Sequence, residues 1–127
     1  MCILLVEDEF LIRLILAEEL TEAGFAVRAA EDGEHAMGLI ETGPDAFSLL
    51  VTDIHMPGSL DGIEVARRLR ERRPDVPVIY MTGRPDVLDG AGRLGDKDML
   101  MPKPIAPSEL LAVVRRLLGK ADGSVVG

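Results

Sequence analysis

Four short apolar runs in this chain each end on, or just before, a side chain suited to chemistry. Glu7 and Asp8 follow the first, Asp53 the second, Thr82 the third and Lys103 the fourth. Carboxylates placed side by side repel, so a cluster of Glu7, Asp8 and Asp53 costs stability unless a cation sits among them. Hard oxygen ligands from few side chains suit Mg²⁺, which keeps several waters and commonly bridges to phosphate. A hydroxyl at Thr82 and a fixed positive charge at Lys103 suit the oxygens of a transferred phosphoryl group. An aspartate is an accepted covalent nucleophile in that chemistry, and Asp53, the central carboxylate, is the expected one.

These groups can meet only if separate strand ends reach one edge of a sheet. Continuous apolar runs at Cys2–Val6, Phe25–Ala30, Phe47–Thr52, Val76–Met81 and Met99–Met101 read as strands. Between and after them, Phe10–Ala23, Gly33–Thr42, Asp61–Arg73 and Pro107–Leu118 have helical periodicity. In the first helix the inward stripe is expected to include Leu11, Ile12, Ile15, Leu16 and Leu20, stopping at Gly24. Strands alternating with helices across short links imply an α/β fold, a doubly wound five-stranded parallel sheet with helices on both faces. The flavodoxin-like strand order 2-1-3-4-5 fits this length, and it puts ligand chemistry beyond the carboxyl ends of the strands. Glu7, Asp8, Asp53, Thr82 and Lys103 are the residues expected there.

The chain has 127 residues, about one domain. Lys and Arg number 14 against 22 Asp and Glu, a net charge of −8, which disfavours a partner bound through its phosphate backbone. Hydrophobic residues make up 47% and aromatics 3%, so the core must be aliphatic. One cysteine, Cys2, excludes an internal disulfide and a cysteine zinc site, and is expected to be a small buried hydrophobe. The start of the chain reads as neither a secretory leader nor a membrane span, and a cytoplasmic location is expected. Residues 1–119 read as one domain and 120–127 as a frayed tail.

The chemical stretches together resemble the receiver domain of bacterial two-component response regulators, of the single-domain, chemotaxis-receiver-like type. The matching residues are Leu4-Leu5-Val6-Glu7-Asp8-Glu9, Val51-Thr52-Asp53-Ile54-His55-Met56-Pro57-Gly58, Asp61-Gly62, Met81-Thr82-Gly83 and Lys103-Pro104-Ile105. The resemblance implies that Asp53 accepts a phosphoryl group from a phosphohistidine of a sensor histidine kinase or phosphotransfer protein. It further implies that Asp8 binds Mg²⁺ directly and Glu7 through water, with the backbone carbonyl of His55 completing the protein ligands. Thr82 would hydrogen-bond the phosphoryl group and Lys103 would pair with it, and Pro104 would be a cis proline. On this reading the chain is a phosphorylation-controlled switch for a downstream protein, catalysing only its own phosphorylation and dephosphorylation. Alternatives are a receiver cut from a hybrid histidine kinase, or an Asp-nucleophile phosphohydrolase. The latter usually has an acid two residues after the nucleophile, where this chain has His55.

Three departures from the family pattern bear on mechanism. Gly58-Ser59-Leu60 is one residue longer than usual between Met56-Pro57 and Asp61-Gly62. Leu100 stands where the family often has a switch Tyr or Phe. Between residues 84 and 98, Pro85, Gly90, Gly92 and Gly95 argue for a short or irregular fourth helix, each glycine costing roughly 1 kcal/mol against alanine. Switching is therefore expected to rely on that stretch, with the last strand and Ser108–Leu118 as partner surface. The literal G-x-G-x-x-G from Gly90 to Gly95 lacks the strand and helix a dinucleotide site needs and reads as chance. His35 and His55 lack metal-ligand spacing, His55 being a candidate to tune water access at Asp53. The arginines of the third helix, with Arg72 and Arg73, read as a solvated face.

Overall fold

The computed structural model describes residues 2–43, 46–84, 95 and 97–119. Five strands, β1 (Cys2–Val6), β2 (Ala26–Ala30), β3 (Phe47–Asp53), β4 (Val78–Thr82) and β5 (Asp98–Pro102), form one parallel sheet in the order β2-β1-β3-β4-β5. Four helices are described: α1 (Phe10–Glu22), α2 (Gly33–Thr42), α3 (Gly62–Arg72) and α4 (Pro107–Leu118). The strands read as continuous apolar runs because both sheet faces are covered. Leu4, Val6, Leu50, Val78 and Tyr80 pack under Ala36, Ile40, Val65, Ala66 and Leu69 of α2 and α3. The alternate residues Ile3, Leu5, Leu49, Val51, Ile79 and Met81 pack under Leu16, Leu20, Leu110 and Val114 of α1 and α4.

Local chemistry sets the helix ends. Asp32 and Asp61 cap α2 and α3, their carboxylates accepting from the amides of His35 and Glu64, each at 2.8 Å. Gly24, at φ 101°, closes α1 in a Schellman motif, with Gly24 N donating to Thr21 O and Phe25 N to Leu20 O. Pro107 starts α4, where the Glu109 carboxylate accepts from Ala106 N at 3.1 Å.

Among the described residues the expected strands and helices form, with ends moved by one or two residues. β4 begins at Val78 rather than Val76, since Pro77 has no amide to enter the ladder and Val76 O is taken by Arg70. In α1 the inward residues are Ile12, Leu16 and Leu20, four apart, whereas Leu11 and Ile15 are 67% and 50% exposed. So many aliphatics crowd α1 that composition cannot choose its buried face; packing on the sheet does. The third-helix arginines are not simply solvated. Arg67 and Arg68 pair with Glu64 along the helix, but Arg70 reaches Asp98 at 2.6 Å and Arg73 donates to Phe47 O at 3.1 Å. Cys2 is half-buried, and burial raises its thiol pKa. The expectations for a fourth helix within 84–98, for most of the glycine motif and for the tail lie outside the described residues.

Candidate functional site

The first strand delivers two carboxylates with opposite exposures. Glu7 N donates to Ala30 O at 3.1 Å, prolonging the β1–β2 ladder by one step, and the Glu7 side chain is fully buried. Asp8 is the first exposed residue beyond it. The turn is pinned from both sides: Glu9 N donates to Glu7 Oε2 at 3.0 Å, and Arg13 of α1 donates from Nη1 to Glu7 O at 2.8 Å. The Arg13 guanidinium also lies over the Phe10 ring, 5.5 Å from its centroid.

Asp53 is the last residue of β3 and only 2% exposed. Ile54 N donates to Met81 O at 3.0 Å and Gly62 N to Ile54 O at 2.9 Å, which draws the start of α3 against the strand end. The approach is so close that a Cβ at Gly62 would stand 1.9 Å from Asp53 O, so no other residue fits without moving the backbone. Asp8 N faces Asp53 Oδ2 at 3.4 Å.

Lys103 comes from the far side of the sheet. Its amide donates to Thr82 O at 2.7 Å, and a cis peptide bond joins it to Pro104. Its ammonium stands 2.6 Å from Asp53 Oδ1 and 3.2 Å from Glu7 Oε1. Thr82 is 2% exposed, and its hydroxyl oxygen accepts from Arg84 N at 2.9 Å. A cavity of about 350 Å³, walled by Ile12, Leu16, Met81 and Ile105, opens beside Glu7 and Lys103.

Burial, reinforced by the neighbouring Glu7, pushes the Asp53 carboxyl from 3.8 up to about 8 against the pull of Lys103. Burial opposes the charge on Lys103, yet Asp53 and Glu7 hold its pKa above the ordinary value. One oxygen from each of Glu7, Asp8 and Asp53 lies within 4.8 Å of the others. Glu7 Oε1 and Asp53 Oδ1 are buried without a well-formed hydrogen bond among the described residues, and both face the Lys103 ammonium. Three carboxylates against one ammonium leave room for further positive charge, and an all-oxygen donor set fits Mg²⁺.

The family's sequence pattern, described as the response regulator receiver domain, matches residues 3–115. The chain belongs to the response regulator receiver domain family. Response regulator MprA of Mycolicibacterium vanbaalenii is 42% identical over 118 residues, covering 91% of this chain and 49% of that protein. The chain thus spans about half the length of the curated relatives it matches. Among solved structures, a response regulator receiver protein from Sinorhizobium medicae superposes with a TM-score of 0.81 at 33% identity, covering 92% of this chain and 93% of that one. The receiver domain of hybrid histidine kinase CckA gives 0.80 at 30% identity, covering 93% and 99%. Chemotaxis protein CheY4 of Vibrio cholerae gives 0.79 at 26%, covering 92% and 98%. This receiver domain is a module of two-component signalling.

Of the residues singled out by sequence, Glu7, Asp8, Asp53 and Lys103 come together at the carboxyl edge of the sheet, and Thr82 ends the adjoining strand. His55 is exposed on the loop just after β3. Leu100 packs against the α2/α3 core, paired in register with Tyr80. The role of Arg13 in tying down the Glu7 turn was not legible, since an arginine six residues on gives no sign that it will reach back to a carbonyl. Neither was a contact between Glu34 and the loop after β3.

Proposed function

We propose that residues 1–119 act as a phosphoacceptor switch in a phosphorelay, with Asp53 receiving the phosphoryl group of a phosphohistidine on a sensor kinase or phosphotransfer protein. The observation that carries the reading is the buried Asp53 carboxylate, 2.6 Å from Lys103 and clustered with Glu7 and Asp8. In the transfer an Asp53 oxygen forms a bond to phosphorus as the phosphorus–nitrogen bond of the donor breaks, and the imidazole leaves with the bonding pair. Lys103 holds Asp53 before transfer and can pair with the new phosphoryl oxygens afterwards, without moving its backbone anchor on Thr82. The Thr82 hydroxyl can turn from the Arg84 amide to donate to the same group. Asp8, Glu7, Asp53 and the His55 carbonyl are the proposed holders of Mg²⁺, which when bound offsets the negative charge gathering at the transferred group.

A protein donor suits the surroundings of the site. Phe10, Leu11, Leu14 and Ile15 are all exposed on α1, whose first turn adjoins Asp8 and Glu9. Apolar side chains grouped this way on a surface mark a protein contact more readily than an entrance for a small phosphate ester. No helix among the described residues is long and apolar enough to cross a membrane. Beryllofluoride with Mg²⁺ tests the proposal. Backbone amide resonances at Asp53, Thr82 and Lys103 are expected to shift together in the wild type and to stay in place in Asp53→Asn. Shifts of equal size in both proteins overturn it.

A further inference from the structure

The loop from β3 to α3 carries His55 and, further on, Gly58-Ser59-Leu60. Its base is closed by Gly62 N on Ile54 O at 2.9 Å. Its tip is held by a different helix. Ser59 donates to Glu34 Oε2 twice, from its amide at 3.0 Å and its hydroxyl at 2.6 Å. Gly58 has φ 96°, and a Cβ there would stand 2.7 Å from Glu34 Oε1, so the glycine makes room for the carboxylate. One residue earlier on α2, a Cβ at Gly33 would stand 2.5 Å from Leu60 O. The first turn of α2 is therefore shaped around residues 58–60. Ser59 hydrogen bonds also lower the Glu34 carboxyl pKa, keeping it charged.

We propose that Glu34 is a positioning residue of the phosphorylation site: by latching Ser59 it fixes the loop that carries His55, and so sets how tightly Glu7, Asp8 and Asp53 hold a divalent cation. The proposal rests on the phosphoacceptor reading given above. Groups that orient metal ligands without touching the metal commonly govern affinity, because a ligand that must first be ordered binds more weakly. The competing account of Glu34 is that an acid in a first helical turn merely complements the helix dipole. The two differ in what glutamine does. Glutamine keeps an acceptor oxygen at the same reach and loses the charge, so the latch survives it and the dipole contribution does not.

The test measures Mg²⁺ affinity by calorimetry, together with amide hydrogen exchange at residues 55–60, on the full chain. Wild type is compared with Glu34→Ala, Glu34→Gln, Ser59→Ala and, as a control in the last turn of α2, Glu41→Ala. Glu34→Ala and Ser59→Ala are expected to weaken Mg²⁺ binding by about tenfold and to speed exchange at Ser59. Glu34→Gln and Glu41→Ala should stay within about twofold of wild type, as expected if hydrogen bonds rather than charge transmit the effect. Ser59 lies on an exposed loop, so its variant gives a reading even if Glu34→Ala folds poorly. Faster exchange at Ser59 with unchanged Mg²⁺ affinity overturns the proposal, as does a glutamine variant as weak as alanine. A wild type that binds Mg²⁺ but takes no phosphoryl group defeats the phosphoacceptor reading alone, whereas one that binds no Mg²⁺ defeats both.

Discussion

Replacing Asp53 by asparagine should make the metal-free domain more stable, although it removes the central reactive group. Asp53 is 2% exposed, beside the fully buried Glu7, and its carboxyl is pushed up to about 8 from an ordinary 3.8. Between those values the folded protein holds a proton that the unfolded chain has released, so stability is fully present below about pH 4 and is lost as pH rises towards 8. At about 1.4 kcal/mol per pH unit, the span from 3.8 to neutrality amounts to about 4 kcal/mol. Asparagine escapes that loss and, like the protonated Asp53 it replaces, is neutral beside Lys103. A net gain of up to about 4 kcal/mol is expected in urea unfolding near neutral pH with a chelator, shrinking to nothing by about pH 4. Saturating Mg²⁺ should narrow the gap, because the cation favours the carboxylate. A wild type more stable than Asp53→Asn in chelator at neutral pH, or a difference that does not shrink on acidification, refutes the electrostatic account of the site.

Three further outcomes follow from the same geometry. Mg²⁺ at about a hundredfold excess over its Kd should stabilise the wild type by about 3 kcal/mol, and a gain of the same size in Asp8→Ala would exclude Asp8 as a ligand. Gly62→Ala should cost about 3 kcal/mol or more in urea unfolding and slow phosphorylation, since its Cβ would stand 1.9 Å from Asp53 O; a cost below about 1 kcal/mol would contradict that contact. Tyr80, the chain's one tyrosine, is raised from 10 to about 12 by burial and then by Asp98, so the stability it contributes should be lost as pH rises from about 10 to 12. Ultraviolet absorbance reads its ionisation directly, and a native-state titration near 10 would show the phenol to be solvated.

The sheet and the carboxylate edge were legible in sequence because both depend on short-range rules. An apolar run buried on both faces has few alternatives to a parallel strand, and a charged residue straight after it marks the strand's open end. Gly24 announced the end of the first helix for an equally local reason. What sequence did not yield depended on three-dimensional approach. Leu11 and Ile15 are as aliphatic as Ile12 and Leu16, and only docking on the sheet separates the two pairs. Arg70 and Arg73 share a helix face rich in charge, yet their length lets them reach a neighbouring strand and loop. Nothing in the sequence marks Glu34, because its partner, Ser59, lies 25 residues away.

The central claim is that Asp53 itself forms the covalent bond to phosphorus. Intact-mass analysis after incubation with acetyl phosphate and Mg²⁺ measures this with the fewest intermediate assumptions. The wild type should gain the mass of a single phosphoryl group, lose it slowly on standing, and show no gain when Mg²⁺ is chelated before the donor is added. Asp53→Asn should gain none under the same conditions. A variant that accumulates phosphate to the wild-type level would contradict the assignment of Asp53.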